Sequence, residues 1–249
     1  MLAFAVTSAP LMMNALNDME FIFNCDHNFA DRYTGEADYF VAKEKQPENE
    51  GQWNSWETNF VPDLRTAFLG DYRDDGKVEG GRVMGIMMAD GWASLHTSWW
   101  PAGKYHKAHY HGPGAILLGL KSEGYVLMWP KHCGIHPYQD GYGDKVIKMN
   151  WKPNGIYSPC SEWFHQHFNT GPEIARHLAV KGGGIGFDLP SFRGTNYVLS
   201  IREEGGTIIE YEDEDPQIRR MFEEEVRQKG GTFTMKPVVY RTDPLPYKF

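Results

Sequence analysis

The 249-residue chain is poor in cysteine, in basic charge and in long apolar runs, and each shortage removes a class of protein. The cysteines are Cys25, Cys133 and Cys160, far apart and without a C-X-X-C spacing. Neither a disulfide framework nor a structural zinc knuckle is indicated, and a reducing cytoplasm fits. Lys and Arg total 25 against 33 Asp and Glu, a formal charge of -8 with no basic stripe. Phosphate backbones need clustered cations, so nucleic acid is not an expected partner. No apolar run approaches the roughly 20 residues of a membrane helix. The opening MLAFAVTSAPLMMNA precedes any Lys or Arg, the first being Arg32, and so lacks the charged start of a signal peptide. A cytoplasmic protein is expected, with a small molecule or a second copy of the chain as partner.

Aromatic bulk is abundant: 14% of residues, including eight Trp and thirteen Tyr, enough for a core and an aromatic-lined pocket. Residues 1–81 read as an irregular arm whose polar, Gly- and Pro-bearing clusters are loop chemistry. Its Trp53, Trp56, Phe60 and Phe68 nonetheless call for burial, against a barrel or a neighbouring subunit. Over 82–189 the pattern becomes short runs, RVMGIMMA, WASLHTSWW, AILLGLK, GYVLMW, WFHQHFN and RHLAVK, split by turn residues. Such spacing predicts strands of a sandwich or jelly roll. The Gly-rich segment 131–144, KHCGIHPYQDGYGD, is long for a hairpin loop and is expected to form a lid. Residues 190–249 hold one helix, 216–229, with Asp215 as cap, Pro216 at its first position, a stripe of Ile218, Met221, Phe222 and Val226, and Gly230 to end it.

The chemistry-bearing feature is histidine in pairs. HKAHYHGPG contains His106, His109 and His111, and FHQHFN contains His165 and His167. On a strand, residues i and i+2 share a face, so each H-X-H pair can aim two imidazoles at one ion. Two pairs on separate strands, each among apolar residues, favour a metal site over two unrelated surface pairs.

The stretch GKYHKAHYHGPGAILLGLKSEG resembles the first motif of the cupin superfamily, with Gly103, His109 and His111 in register. PCSEWFHQHFN resembles the second, with His165 and Asn169 in register. The resemblance covers roughly residues 88 to 185 and implies an all-β fold, the double-stranded β-helix or jelly-roll barrel, with an irregular N-terminal arm and a C-terminal helix. It also implies a divalent metal held by His109, His111 and His165. Two departures stand out. Ala115 or Ile116 occupies the place of the motif's glutamate, and Glu162 replaces a glycine of the second motif, with Pro159 one residue further away than usual.

Three-histidine cupins that lack the glutamate are frequently ferrous dioxygenases, so the resemblance implies Fe(II), with Zn, Ni or Mn as alternatives, acting with O2 on a small aromatic, diketone or hydroxy-acid substrate. A non-redox lyase or isomerase and a non-catalytic binding barrel are the other classes. His167 is expected to support the site from behind, a fourth-ligand role being the alternative open also to Glu162 and His106. His106 has the wrong parity for the strand face and is expected at the rim, binding substrate or shuttling a proton. Tyr105 and Tyr125 are candidate bases. Arg176, in ARHLAVK, could clamp a substrate carboxylate or pair with Glu173 or Glu162. His132, Cys133, His136 and Cys160 are weaker candidates. Cupins commonly pair through arms and outer strands, so the resemblance implies a homodimer.

Overall fold

Alternation of side chains along the strands decides this architecture. The computed structural model describes residues 3–7, 9–26, 34–45, 55–67, 73–89, 93–112, 115–181 and 196–246. Trp53, Phe68, Pro113, Gly114 and residues 182–195 lie outside them. In chain order the elements are α1 (Ala9–Leu16), α2 (Met19–Asn24), β1 (Lys43–Lys45), β2 (Ser55–Glu57), β3 (Arg73–Asp74), β4 (Arg82–Met88), β5 (Ala93–Trp100), β6 (Ala115–Lys121), β7 (Gly124–Pro130), β8 (Ile147–Trp151), β9 (Ile156–Tyr157), β10 (Trp163–Asn169), β11 (Ala175–Lys181), β12 (Asn196–Ser200), β13 (Gly206–Ile208) and α3 (Pro216–Gln228).

One sheet has the order β1-β2-β4-β5-β11-β6-β9, with β3 also on β4. The second has β10-β7-β8, all antiparallel, and β12 pairs with β13 in parallel. The segment 105–109, too short to register as a strand, extends this second layer through bridges of Tyr105 to Phe168 and of His109 to both His165 and Ile208. The jelly-roll expectation therefore holds, with antiparallel pairing dominating both layers. The arm is less separate than its loop chemistry suggests, because β1, β2 and β3 add to the first sheet. Phe60 is exposed, Trp56 is half-buried, and α2 buries none of its residues.

Strands β7 and β10 of the second sheet are buried on both faces, and this positions the site. On β7, Val126 and Met128 point between the sheets, into a core shared with Trp100, Leu117, Trp151 and Tyr157. Tyr125, Leu127 and Trp129 point the other way, with Phe164 and Phe168 of β10, into a second core covered by Ile218, Phe222 and Val226 of α3. That helix begins as its sequence predicts: Asp215 accepts from the Gln217 N–H at 2.9 Å, and Pro216 follows. The same Asp215 carboxylate accepts from the Tyr138 and Gln139 N–H groups at 2.8 and 2.9 Å, tying the 131–144 segment to the helix start. Fully burying a side chain of this size contributes about 1.5–3 kcal/mol, so α3 is held chiefly by its three buried apolar residues. Among the described residues no helix is long and apolar enough to cross a membrane.

Candidate metal centre

Period-2 alternation on β10 sends Phe164, Gln166 and Phe168 outward and His165 and His167 into the space between the sheets. His109 lies opposite His165 through paired backbone hydrogen bonds of 3.1 and 2.8 Å, and its ring centroid is 4.4 Å from that of His165. His111 follows on the same side, 4.9 Å from His165 and 5.8 Å from His109 between ring centroids. One ligand atom from each of the three can be chosen so that all lie within 4.8 Å of one another. Among the described residues, no carboxylate or thiol completes this cluster.

The donor chemistry fits a divalent ion. Nδ1 of His109 lies 3.1 Å from the Lys107 carbonyl, and Nδ1 of His165 lies 3.1 Å from the Trp163 carbonyl. A carbonyl only accepts, so both Nδ1 atoms carry the hydrogen and each ring keeps its lone pair on Nε2, the atom that would bind metal. Burial, then the neighbouring His165, holds His109 well below the ordinary histidine range, which keeps it neutral and competent as a ligand.

The motif residues explain themselves locally. Asn169 is fully buried; its side-chain carbonyl accepts from Ser122 and Gly171, and its amide donates to the Trp100 and Glu173 carbonyls. It pins the end of β10. Gly103 has φ +69°, and a Cβ there would lie 2.1 Å from the Thr232 carbonyl oxygen. Glu162 occupies the second motif's glycine position and keeps a glycine-like backbone, φ +62°. Its exposed carboxylate is 2.5 Å from Lys131 Nζ, a surface ion pair that leaves it no part in the cluster.

The three ligand candidates line a cavity of about 50 Å³ together with further histidines, small aliphatic side chains, Ser98, Asp75 and Lys77. His106 is not at the rim: it is 4% exposed, tilted against Trp100 with ring centroids 4.4 Å apart, and has Nε2 3.3 Å from the Asp75 carboxylate. Burial lowers its pKa to about 4, against the opposing pull of Asp75. Outside a regular strand, the 105–109 segment is free of strict alternation, which is how His106 turns inward. His167 also faces the cavity, with Nδ1 3.1 Å from the Tyr157 hydroxyl. Burial and His165 hold it well below the usual range.

Three residues escaped sequence reasoning. His177 on β11 and His96 on β5 line the cavity, and Asp75 comes from the turn after β3. His177 is 1% exposed, and burial pushes its pKa down to about 3. The signal was parity: in ARHLAVK, Arg176 and His177 must face opposite ways, so only one can enter the barrel. Arg176 is the one that does not. Its guanidinium donates to the Leu64 carbonyl at 2.8 Å and the Ala67 carbonyl at 3.4 Å, and it sits 4.9 Å from the Trp99 ring centroid. Neither Glu173 nor Glu162 is its partner in these bonds.

Tyr105 and Tyr125 also face away from the cavity, into the core beneath α3. Tyr105 donates to Glu214, and Tyr125 stacks on Phe168 at 4.3 Å, so neither reaches the cluster as a base. The 131–144 segment closes the same outer core, with Cys133 buried and Trp129 donating to the Gly134 carbonyl at 3.0 Å; it is no lid over the histidines. His132 and Cys160 are exposed, and His136 is half-buried away from the cavity. An aromatic-lined pocket is not what forms, because Trp100, Tyr105, Tyr125, Trp129 and Phe164 are all fully buried core.

No family model matches the sequence, and no curated protein matches it. Solved structures similar to the chain include an oxalate decarboxylase of Lactobacillus farciminis in a formate complex, at 15% identity and TM-score 0.33 over 41% of this chain and 28% of that one. An oxalate oxidase matches at 16% identity and TM-score 0.36, over 46% of this chain and 57% of that one. The cupin domain of Drosophila melanogaster CENP-C matches at 8% and 0.28, over 34% and 57%. The chain thus spans less than two thirds of each of these. Its own geometry is a two-sheet β fold in which the H-X-H pair His109 and His111 meets His165 of β10.

Proposed function

We propose that this chain is a cupin and a metal-dependent enzyme, a non-heme Fe(II) dioxygenase acting on a small substrate at His109, His111 and His165. The observation that carries the reading is the convergence of three imidazoles with no carboxylate among the described residues in the cluster. Three neutral nitrogens leave a divalent ion its full charge, which favours an anionic or enolised substrate. A ferrous ion there supplies redox chemistry with dioxygen.

The chain's own residues do the rest. Val83, Ala115, Leu117 and Ala179 give the cavity an apolar wall. His106, with Asp75 behind it, and His167 offer neutral imidazoles that can take or return a proton at the cavity wall. A water needs roughly 10–15 Å³ of such space, so a cavity of about 50 Å³ suits a substrate of a few heavy atoms. A short hydroxy acid or diketone fits this better than an aromatic ring.

The test is anaerobic loading with ferrous iron followed by oxygen uptake with a panel of short hydroxy acids and diketones. Iron-dependent oxygen consumption above the substrate-free rate supports the reading. Turnover with zinc and without oxygen selects instead a lyase or isomerase, which the extra imidazoles around the cavity would equally serve.

A further inference from the structure

Behind His167 stands an arrangement the proposed reaction has not used. The buried Tyr157 of β9 places its hydroxyl 3.1 Å from Nδ1 of His167 and 2.9 Å from Nδ1 of His177. All three side chains are at least nine-tenths buried, and both histidines line the cavity. The other nitrogen of His177, Nε2, is buried without a partner.

Hydrogen counting constrains this trio. A phenol has one hydrogen to donate, and a neutral imidazole carries its hydrogen on one nitrogen only. The trio is buried, and each Nδ1 lies within hydrogen-bond reach of the same phenol oxygen, so the hydrogens of the three groups must be shared among these two contacts. If both rings carried hydrogen on Nδ1, both would donate to the phenol oxygen and the phenolic hydrogen would be stranded in a dry site. If neither did, the phenol could serve one ring only, and the other Nδ1 lone pair would face the oxygen's own. Stranded buried polar groups are what folded proteins avoid. Only the mixed arrangement satisfies the phenol and both Nδ1 atoms: one ring donates from Nδ1 to the phenol, and the phenol donates to Nδ1 of the other.

We propose that Tyr157 locks His167 and His177 into opposite tautomers, so that Tyr157 and His177 are positioning residues that set whether His167 presents a lone pair or an N–H to the cavity. With the hydrogen of His167 on Nδ1, its Nε2 is a base or a ligand. With the hydrogen on Nε2, it is a donor to whatever lies at the metal centre. The two forms differ by no net charge, only by where three hydrogens sit. The consequence for chemistry rests on reading the three-histidine cluster as a metal site; the lock itself does not.

The experiment is long-range proton–nitrogen correlation NMR on metal-free protein carrying 15N-labelled histidine, which assigns the tautomer of each ring. Opposite tautomers at His167 and His177, with at least one changing in Tyr157→Phe, are expected. The same tautomer at both, or an opposite pair that survives Tyr157→Phe unchanged, would overturn the lock. In His177→Phe the phenolic hydrogen has only His167 to serve, so His167 is expected with its hydrogen on Nε2; hydrogen on Nδ1 there contradicts the proposal. Metal content of the same proteins reports separately on the cluster. Wild type that takes up no metal, with the tautomer pattern intact, sinks the metal reading alone, and metal uptake without the pattern sinks the lock alone.

Discussion

Replacing Glu214 by glutamine should flatten one part of the pH dependence of stability. Glu214 is 1% exposed; its carboxyl accepts from the Tyr105 hydroxyl and, at 3.0 Å, from the Gln166 side-chain amide. Burial raises its pKa from 4.5 to about 8, although both hydrogen bonds oppose the rise. Between those values the unfolded chain has lost this proton and the native chain has kept it. The contribution of Glu214 to stability is therefore fully present below pH 4.5 and is lost as pH rises toward 8. The loss runs at about 1.4 kcal/mol per pH unit, on the order of 4–5 kcal/mol in all. Glutamine is uncharged throughout, and Tyr105 can turn its hydroxyl to accept from the new amide. Urea unfolding of wild type and Glu214→Gln at pH 5, 7 and 9 reads the difference, in which every other titration cancels. The variant should gain on wild type by about 4 kcal/mol between pH 5 and pH 9. A difference that stays constant across that range would refute the assignment of a buried, proton-holding carboxyl.

Acid acts through the opposite linkage. His106 and His177 have pKa values lowered to about 4 and about 3, so the stability they carry as neutral rings is present above the unfolded value near 6.5 and is lost as pH falls through their folded values. Stability followed by circular dichroism should drop between pH 6.5 and 3, with a shallower slope in His177→Phe. Arg176→Ala removes the guanidinium that donates to the Leu64 and Ala67 carbonyls and lies beside Trp99, a loss of about 1–3 kcal/mol. Limited proteolysis within 63–67 should accelerate while metal content stays unchanged; an unaltered digestion rate would contradict the tether. Gly103→Ala puts a Cβ 2.1 Å from the Thr232 carbonyl oxygen at a φ of +69°, and should cost about 2 kcal/mol or more in thermal unfolding as the backbone at Thr232 is pushed away.

The parts of this fold legible in the sequence are those written in local periodicity. H-X-H spacing placed His109 with His111 and His165 with His167, because neighbours two apart on a strand share a side whatever surrounds them. The cap, stripe and stop of 216–229 marked α3 for the same reason, and the observed helix, Pro216–Gln228, ends within a residue of that span. What stayed hidden depends on which face of a strand turns inward and on contacts from far along the chain. Parity alone makes Arg176 and His177 exclusive, but choosing between them needed the partners of Arg176, which are carbonyls of the arm. Asp75 reaches His106 from a turn in that arm, and Tyr105 was claimed by Glu214 beside α3. Strands β7 and β10, buried on both faces, gave aromatic runs that suit a pocket and a core equally, and the core took them.

The central claim is that His109, His111 and His165 hold a metal, and elemental analysis of anaerobically loaded protein tests it most directly. Wild type should carry about one divalent ion per chain, and His111→Ala should lose it while its circular dichroism remains that of the folded barrel. Full metal occupancy in His111→Ala, or wild type that takes up none, would contradict the account.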